Sequence, residues 1–375
     1  MITGLVEKVC RQMKWCSSCL AMSTRPRITF DEHGRCNACV WAEKKKSINW
    51  DKRKQELTKL LLQQKSKSLE YDCVVPVSGG KDGSYVAYNL KHLYGMNPLC
   101  VTILPPLSSE LGLKNLHAFI DAGFDHITVA PNSNGMKRLN RLGFEELGFP
   151  YYGWLIAIHT AVFRIAAQFG IDLIFYGEDG EVEYGGRSDT EEMPIYGIEY
   201  QKEIYLENGY DTVLEKAGLN QTEAYFFKYP DTQLDIRMTH WSYYENWDPY
   251  RNYLVAKEHC GLSEADDTNS GTFTNFAQND QHLYALHSYL MFLKFGFGRA
   301  NQDACIEIRR GAMDREQAKN LVTLYDGSFP EAFLDTYLDY YEMNEEKFQE
   351  ILDKWANKEL LTKIDGRWTP NFVIE

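Results

Sequence analysis

The sequence contains no run of about 18 apolar residues, so no membrane-spanning helix and no membrane insertion are expected. Its first eight residues, Met1 to Lys8, lack a charged stretch leading into an apolar core and cleavage site, and do not read as a secretory leader. Basic residues are in short supply: 40 Lys and Arg face 53 Asp and Glu, a formal net charge of −13. Proteins that live on a phosphate backbone usually carry a basic surface, so nucleic acid is not the expected substrate. The nine cysteines cannot all pair, and four of them stand in metal-type spacing, which fits the cytoplasm better than an oxidising compartment. There is no internal repeat and no low-complexity tract. A hydrophobic content of 44% with 14% aromatics excludes a disordered or fibrous chain.

Composition divides what is present. Residues 1–45 are rich in Cys, Gly and Pro. Residues 46–70 form a linker, with a polar helix from Ser47 to Ser68 that carries Leu57, Leu60 and Leu61 on one face. From Tyr71 to about residue 190, short apolar runs alternate with helical stretches. Strands are predicted at Tyr71–Val77, Leu99–Leu104, His126–Ala130 and Ile171–Tyr176. This β-α alternation predicts an α/β domain with a parallel sheet, whose ligands bind beyond the carboxyl ends of the strands. Beyond residue 190 the alternation stops, and residues 191–375 read as a mainly helical region covering the active edge.

Two motifs carry chemistry. Val74 to Ser84 reads as a buried strand, a Ser78-Gly79-Gly80 turn, then Lys81-Asp82-Gly83-Ser84 opening a helix. Glycines let backbone N–H groups approach phosphate oxygens, and the helix N-terminus adds partial positive charge. Lys81 supplies a full charge, and Asp82 is placed to hold Mg²⁺ on those oxygens. A Walker A loop needs Ser or Thr after the Lys, and the dinucleotide fingerprint needs Gly where Ser78 stands. The signature that fits is the S-G-G-x-D-S of the PP-loop ATP pyrophosphatases, a HUP-like fold, with Gly83 in its last position and Ser84 next. The second motif is Cys16-x₂-Cys19 and Cys36-x₂-Cys39, sixteen residues apart, the spacing of a closed structural Zn²⁺ site. Cys10, Cys73, Cys100, Cys260 and Cys305 read as buried small side chains.

A Cys₄ module followed by this loop resembles the N-acetyl sugar amidotransferases of bacterial O-antigen and flagellar glycan biosynthesis. Tyr176-Gly177-Glu178 with Glu183-Tyr184-Gly185-Gly186 resembles that family's Y-G-E…E-Y-G stretch. Gly112 to Leu116 resembles its G-x-x-N-L. Phe297-Gly298-Arg299-Ala300, Asp303, Glu307-Ile308-Arg309, Arg315-Glu316 and Tyr325-Asp326-Gly327 resemble its C-terminal signature. The resemblance implies ATP-dependent adenylation of the acetamido oxygen of an N-acetylated sugar and its replacement by ammonia. It implies Lys81, Asp82 and Glu183 in catalysis, with ATP on Ser78–Ser84, Gly177 and Glu178. Mg²⁺ would sit on Asp82 and Glu178, and the sugar on Tyr184, Gly185, Gly186, Asn115, Arg299 and Arg309. Position 2 is Ile, so no N-terminal Cys nucleophile exists for glutamine hydrolysis, and a separate glutaminase is the expected ammonia source. Two rivals are a PP-loop tRNA-thiolation or lysidine-type enzyme and a non-catalytic nucleotide-binding subunit. The acidic charge, and the lack of a Cys between Gly177 and Ser188, count against the first; intact Lys81 and Asp82 count against the second.

Overall fold

The computed structural model describes residues 13–67, 70–206 and 209–375. The expectations for Met1 to Lys8, for Cys10 and for the end of the linker helix at Ser68 lie outside the described residues.

The N-terminal segment leads through helix α1 (Asn37–Lys44) to α2 (Trp50–Lys65), which Asn49 starts by accepting from the Lys52 N–H at 2.9 Å. Five parallel strands then form the central sheet: β1 (Cys73–Pro76), β2 (Pro98–Ile103), β3 (His126–Val129), β4 (Leu173–Tyr176) and β5 (Arg237–His240). Their order is β3-β2-β1-β4-β5. Strands β1, β2 and β4 are buried along almost their whole length, as the near-continuous apolar runs of a sheet covered on both faces require. Helix α3 (Lys81–His92) packs on one face, backed by Pro249–Cys260, while the apolar helix Tyr152–Gln168 covers the other. Helix α4 (Glu110–Asp121) follows β2, capped by Ser109, which accepts from the Gly112 N–H at 2.9 Å.

Strand order reverses beside β1: the chain leaves β1 toward β2 and β3, then returns to place β4 on the opposite side. That switch point opens a crevice beyond the strand ends, where the loops after β1 and β4 face each other.

One expectation needs correction. The alternation does not end at residue 190, because β5 joins the sheet after a long excursion. Its four residues, Arg-Met-Thr-His, carry no apolar run to mark them. Thr239 and His240 are nevertheless buried, because Thr239 donates to the Pro194 carbonyl and His240 Nε2 lies 3.0 Å from Tyr196 Oη. The C-terminal region also contains an antiparallel hairpin, Leu361–Ile364 (β6) and Arg367–Pro370 (β7).

The cysteine module does not stand apart on its linker helix. Its core, which includes Cys16, Leu20 and Ala38, is completed by Ala304, Cys305, Ala318 and Val322. Those residues lie on α5 (Arg299–Arg309) and α6 (Arg315–Tyr325).

Candidate functional site

At the switch point lies a cleft of about 280 Å³, lined by Ser78 to Gly83, Glu178, Tyr184 and Arg299. Residues 276–280 and Tyr284 form its outer wall. The turn after β1 is dictated by its glycines. Gly79 holds φ +78°, and a Cβ there would fall 2.5–2.7 Å from the Asn115–Leu116 backbone, so no side chain fits. Gly83 packs the first turn of α3 on β1, where a Cβ would sit 2.6 Å from the Pro76 carbonyl oxygen. This explains why Gly occupies the last place of the loop signature. Ser84, one turn inward, is fully buried and does not line the cleft, so the hydroxyl on the cleft wall belongs to Ser78. The α3 N-terminus opens into the cleft with Lys81 and Asp82 in its first turn, an arrangement suited to an anion.

Lys81 and Asp82 are ion-paired, and the second Asp82 oxygen accepts from Asn252 Nδ2 at 3.2 Å. Glu178, just past β4, accepts from Tyr184 Oη at 3.0 Å. Burial, and after it the neighbouring Asp82 carboxylate, push Glu178 up to about 7. Two carboxylates that repel each other beside a phosphate-type turn fit a divalent cation, which would relieve both the burial and the repulsion. Arg299, the first residue of α5, is locked to Asp303 at 2.8 Å, while Asp303 accepts from Thr272 Oγ1 at 2.6 Å. Asp280, unforeseen in the sequence, lines the outer wall and is raised to about 6 by burial.

Not every predicted site residue faces this cleft. Asn115 lines it, but its amide is doubly engaged, donating to the Ser263 carbonyl at 2.9 Å and accepting from the Ser263 N–H at 2.9 Å. It clasps the outer wall to α4. Gly112 does similar work, since a Cβ there would meet Asp280 Cα at 2.4 Å. Glu183 turns away from the cleft: Trp41 Nε1 donates to it at 2.9 Å, and Lys45 Nζ at 2.7 Å. Gly185, at φ +91°, lies against Asn37 and Ala38, and the Gly186 carbonyl accepts from Asn37 Nδ2. The two glycines thus receive the cysteine module. Arg309 lies away from this cleft, half-buried beside the cysteines with Nη1 3.9 Å from Cys19 Sγ. Sequence spacing placed Glu183 beside Tyr184 but did not show on which side of the five-residue helix Gly180–Tyr184 each would point.

In the cysteine cluster, all four sulfurs lie within 4.8 Å of one another. Cys16 and Cys39 are 3.8 Å apart, Cys19 and Cys36 3.7 Å. A tetrahedron with metal–sulfur bonds of about 2.3 Å has edges of about 3.8 Å, so the cluster fits Zn²⁺. Backbone N–H groups of Ser18 and Cys19 at 3.4 Å and of Cys36 at 3.2 Å donate to Cys16 Sγ, as a thiolate requires. His159 and His240 are buried and held neutral, burial lowering them to about 3 and about 4.

Among the described residues no helix is long and apolar enough to cross a membrane. Residues 270–370 match a family model described as the C-terminal domain of WbpG-like lipopolysaccharide (LPS) biosynthesis proteins. Over 101 residues the chain is 33% identical to an uncharacterized protein of Methanocaldococcus jannaschii, a stretch covering 27% of this chain. The match spans 36% of that relative's length. The C-terminal region similar to the WbpG-like domain therefore contains the outer cleft wall, Arg299 and the α5–α6 face that completes the cysteine module.

Proposed function

We propose that this chain is a PP-loop, AMP- and pyrophosphate-forming amidotransferase that acts on an N-acetylated sugar in the biosynthesis of a bacterial surface glycan. The observation that carries the reading is the meeting of Ser78–Gly83 with Glu178 at the sheet's switch point. There an α-helix N-terminus, Lys81 and two carboxylates surround one anion-sized cleft. The similarity of residues 270–370 to an LPS-biosynthesis domain supports a sugar substrate.

In this reading the acetamido oxygen attacks the α-phosphorus of ATP, and the bond to pyrophosphate breaks. Ammonia then adds to the activated carbon and loses protons, and AMP leaves with the former amide oxygen, so an acetamidine remains. Lys81 and the α3 N-terminus neutralise charge growing on the departing pyrophosphate. Asp82 and Glu178 would hold Mg²⁺, which supplies further charge neutralisation there. Ammonia would come from a separate glutaminase.

The test is pyrophosphate release from ATP with a panel of N-acetylated sugars and ammonium. Sugar-dependent release is expected, with a product that has exchanged one oxygen for an N–H. Lys81→Ala should lower the rate by about a hundredfold or more. Release that depends on tRNA instead of sugar overturns the reading.

A further inference from the structure

Two arginines beside the cysteine cluster have no acidic partner. Arg25 comes from the cysteine module and Arg309 from α5, and no carboxylate among the described residues pairs with either. We propose that these two guanidiniums are the counter-ions of a dianionic metal–tetrathiolate centre and raise its affinity for the ion. The proposal goes beyond the functional reading above and does not depend on it.

Three arguments carry it. The first is the missing partner. Both side chains are half-buried, and the buried Arg25 Nε donates to nothing. Arg25 also feels the like charge of Arg309. Glu181 attracts Arg25, but Arg27 holds that carboxylate through two N–H groups, at 2.7 and 2.9 Å. The exposed pair in the same module, Arg35 with Asp31 at 2.8 Å, shows the ordinary arrangement. A charge withdrawn from water and crowded by its like is costly unless an opposite charge stands nearby.

The second is the charge on the sulfurs. Four thiolates around a divalent ion carry two net negative charges, which two guanidiniums balance. Arg309 Nη1 lies 3.9 Å from Cys19 Sγ, and the groups that attract Arg309 are cysteines, Cys19, Cys36 and Cys39 among them. Cys36 attracts Arg25 as well. Arg315, the third guanidinium at the cluster, is spent on main-chain oxygens of Cys16 and Glu375, at 2.8 and 2.7 Å.

The third is position. Arg25, Arg309 and Cys305 line one small cavity with Tyr184, which also lines the phosphate cleft. The two cations thus border the side of the module nearest that cleft. There they offset the field that an uncompensated dianion would project toward a site suited to anions.

Chelator competition on the full chain tests this, comparing the zinc affinity of wild type, Arg25→Met, Arg309→Met and the corresponding lysine variants. Removing a positive charge ordinarily helps a metal ion to bind. Here it should hinder, because the loaded centre is anionic: each methionine variant should bind zinc about tenfold more weakly. Arg25→Lys and Arg309→Lys should restore most of the loss. Cobalt(II) substitution, read by its sulfur-to-metal charge-transfer band, shows whether four sulfurs still converge in each variant. A methionine variant that loses this band where its lysine counterpart keeps it supports the proposal too, since charge is then needed for assembly. Zinc binding that is unchanged or tighter in either methionine variant overturns the proposal. So does an equal loss in the lysine variants, which would make packing, not charge, the role of these arginines.

Discussion

Glu178 is held where a carboxylate is uncomfortable, and its discomfort has a sign. Its ordinary value near 4.5 is pushed up to about 7 by burial and by Asp82. A group raised on folding leaves stability intact below the unfolded value and removes it as pH rises through the folded one. Glu178→Gln cannot ionise, so it should leave the melting temperature unchanged near pH 4.5 and raise it progressively toward pH 7. Above that the gain should level off at about 3 kcal/mol, while turnover is lost. Melting curves across that range check it, and a gain that is constant with pH would show that packing, not charge, is responsible. Gly79 gives the complementary case. Gly79→Ala forces a left-handed residue with its Cβ against the α4 backbone, an expected cost of about 2–5 kcal/mol. Chemical denaturation should register that cost together with lost ATP binding. At this scale the sequence was informative: the loop's glycines, Lys81 and Asp82 marked the turn after β1 that lines the cleft, because each residue type has few other reasons to occur in that order. It was silent on Asp280 and Asn252, which reach the cleft from distant elements and carry no local motif.

The elements show where periodicity stops being a guide. Strands β1, β2 and β4 announced themselves because both faces are buried and the residues are almost all apolar. Strand β5 did not, because Met238 is its one apolar residue, while Thr239 and His240 are buried beside polar partners, Thr239 donating to the Pro194 carbonyl and His240 Nε2 lying 3.0 Å from Tyr196 Oη. The stretch from Glu178 to Gly186 stood out in the sequence, yet the direction of each of its side chains did not. A one-turn helix sends Tyr184 toward Glu178 and Glu183 toward Trp41, and only tertiary packing decides which. Asn115 shows the same effect, since its amide clasps the segment that forms the outer cleft wall. Asn115→Ala would strand the half-buried N–H and carbonyl of Ser263, costing about 1–3 kcal/mol. Limited proteolysis should then cut within residues 262–280 well before wild type. If the substitution instead weakened ligand binding alone, with unchanged stability and protease resistance, Asn115 would be a ligand contact and not a clasp.

Across the whole molecule, the cysteine module is built into the body that carries the cleft. Spacing alone pointed to four cysteines that could hold a metal ion but portrayed a small appendage on a linker. In the structure, Asn301 Nδ2 donates to the Leu20 carbonyl at 2.9 Å, and Arg315 Nη1 to the Cys16 carbonyl at 2.8 Å. Arg27 grips Glu181 through Nη2 at 2.7 Å, binding the module to the loop after β4. Removing Zn²⁺ would leave four thiols with no reason to converge, and a structural zinc typically contributes about 10–16 kcal/mol to its module's folding. Because Ala304, Ala318 and Val322 complete the module's core, its loss exposes α5 and α6 and loosens Arg299 at the phosphate cleft. Stripping the metal with a strong chelator should therefore lower the melting temperature of the entire chain rather than release a separate early transition. Amide exchange should accelerate in Arg299–Tyr325 as well as in residues 13–44, and Cys36→Ser should reproduce both changes without chelator. An unchanged exchange rate in α5 and α6 after metal removal would mean that the shared core holds without its ion, and that the module is the appendage its spacing first suggested.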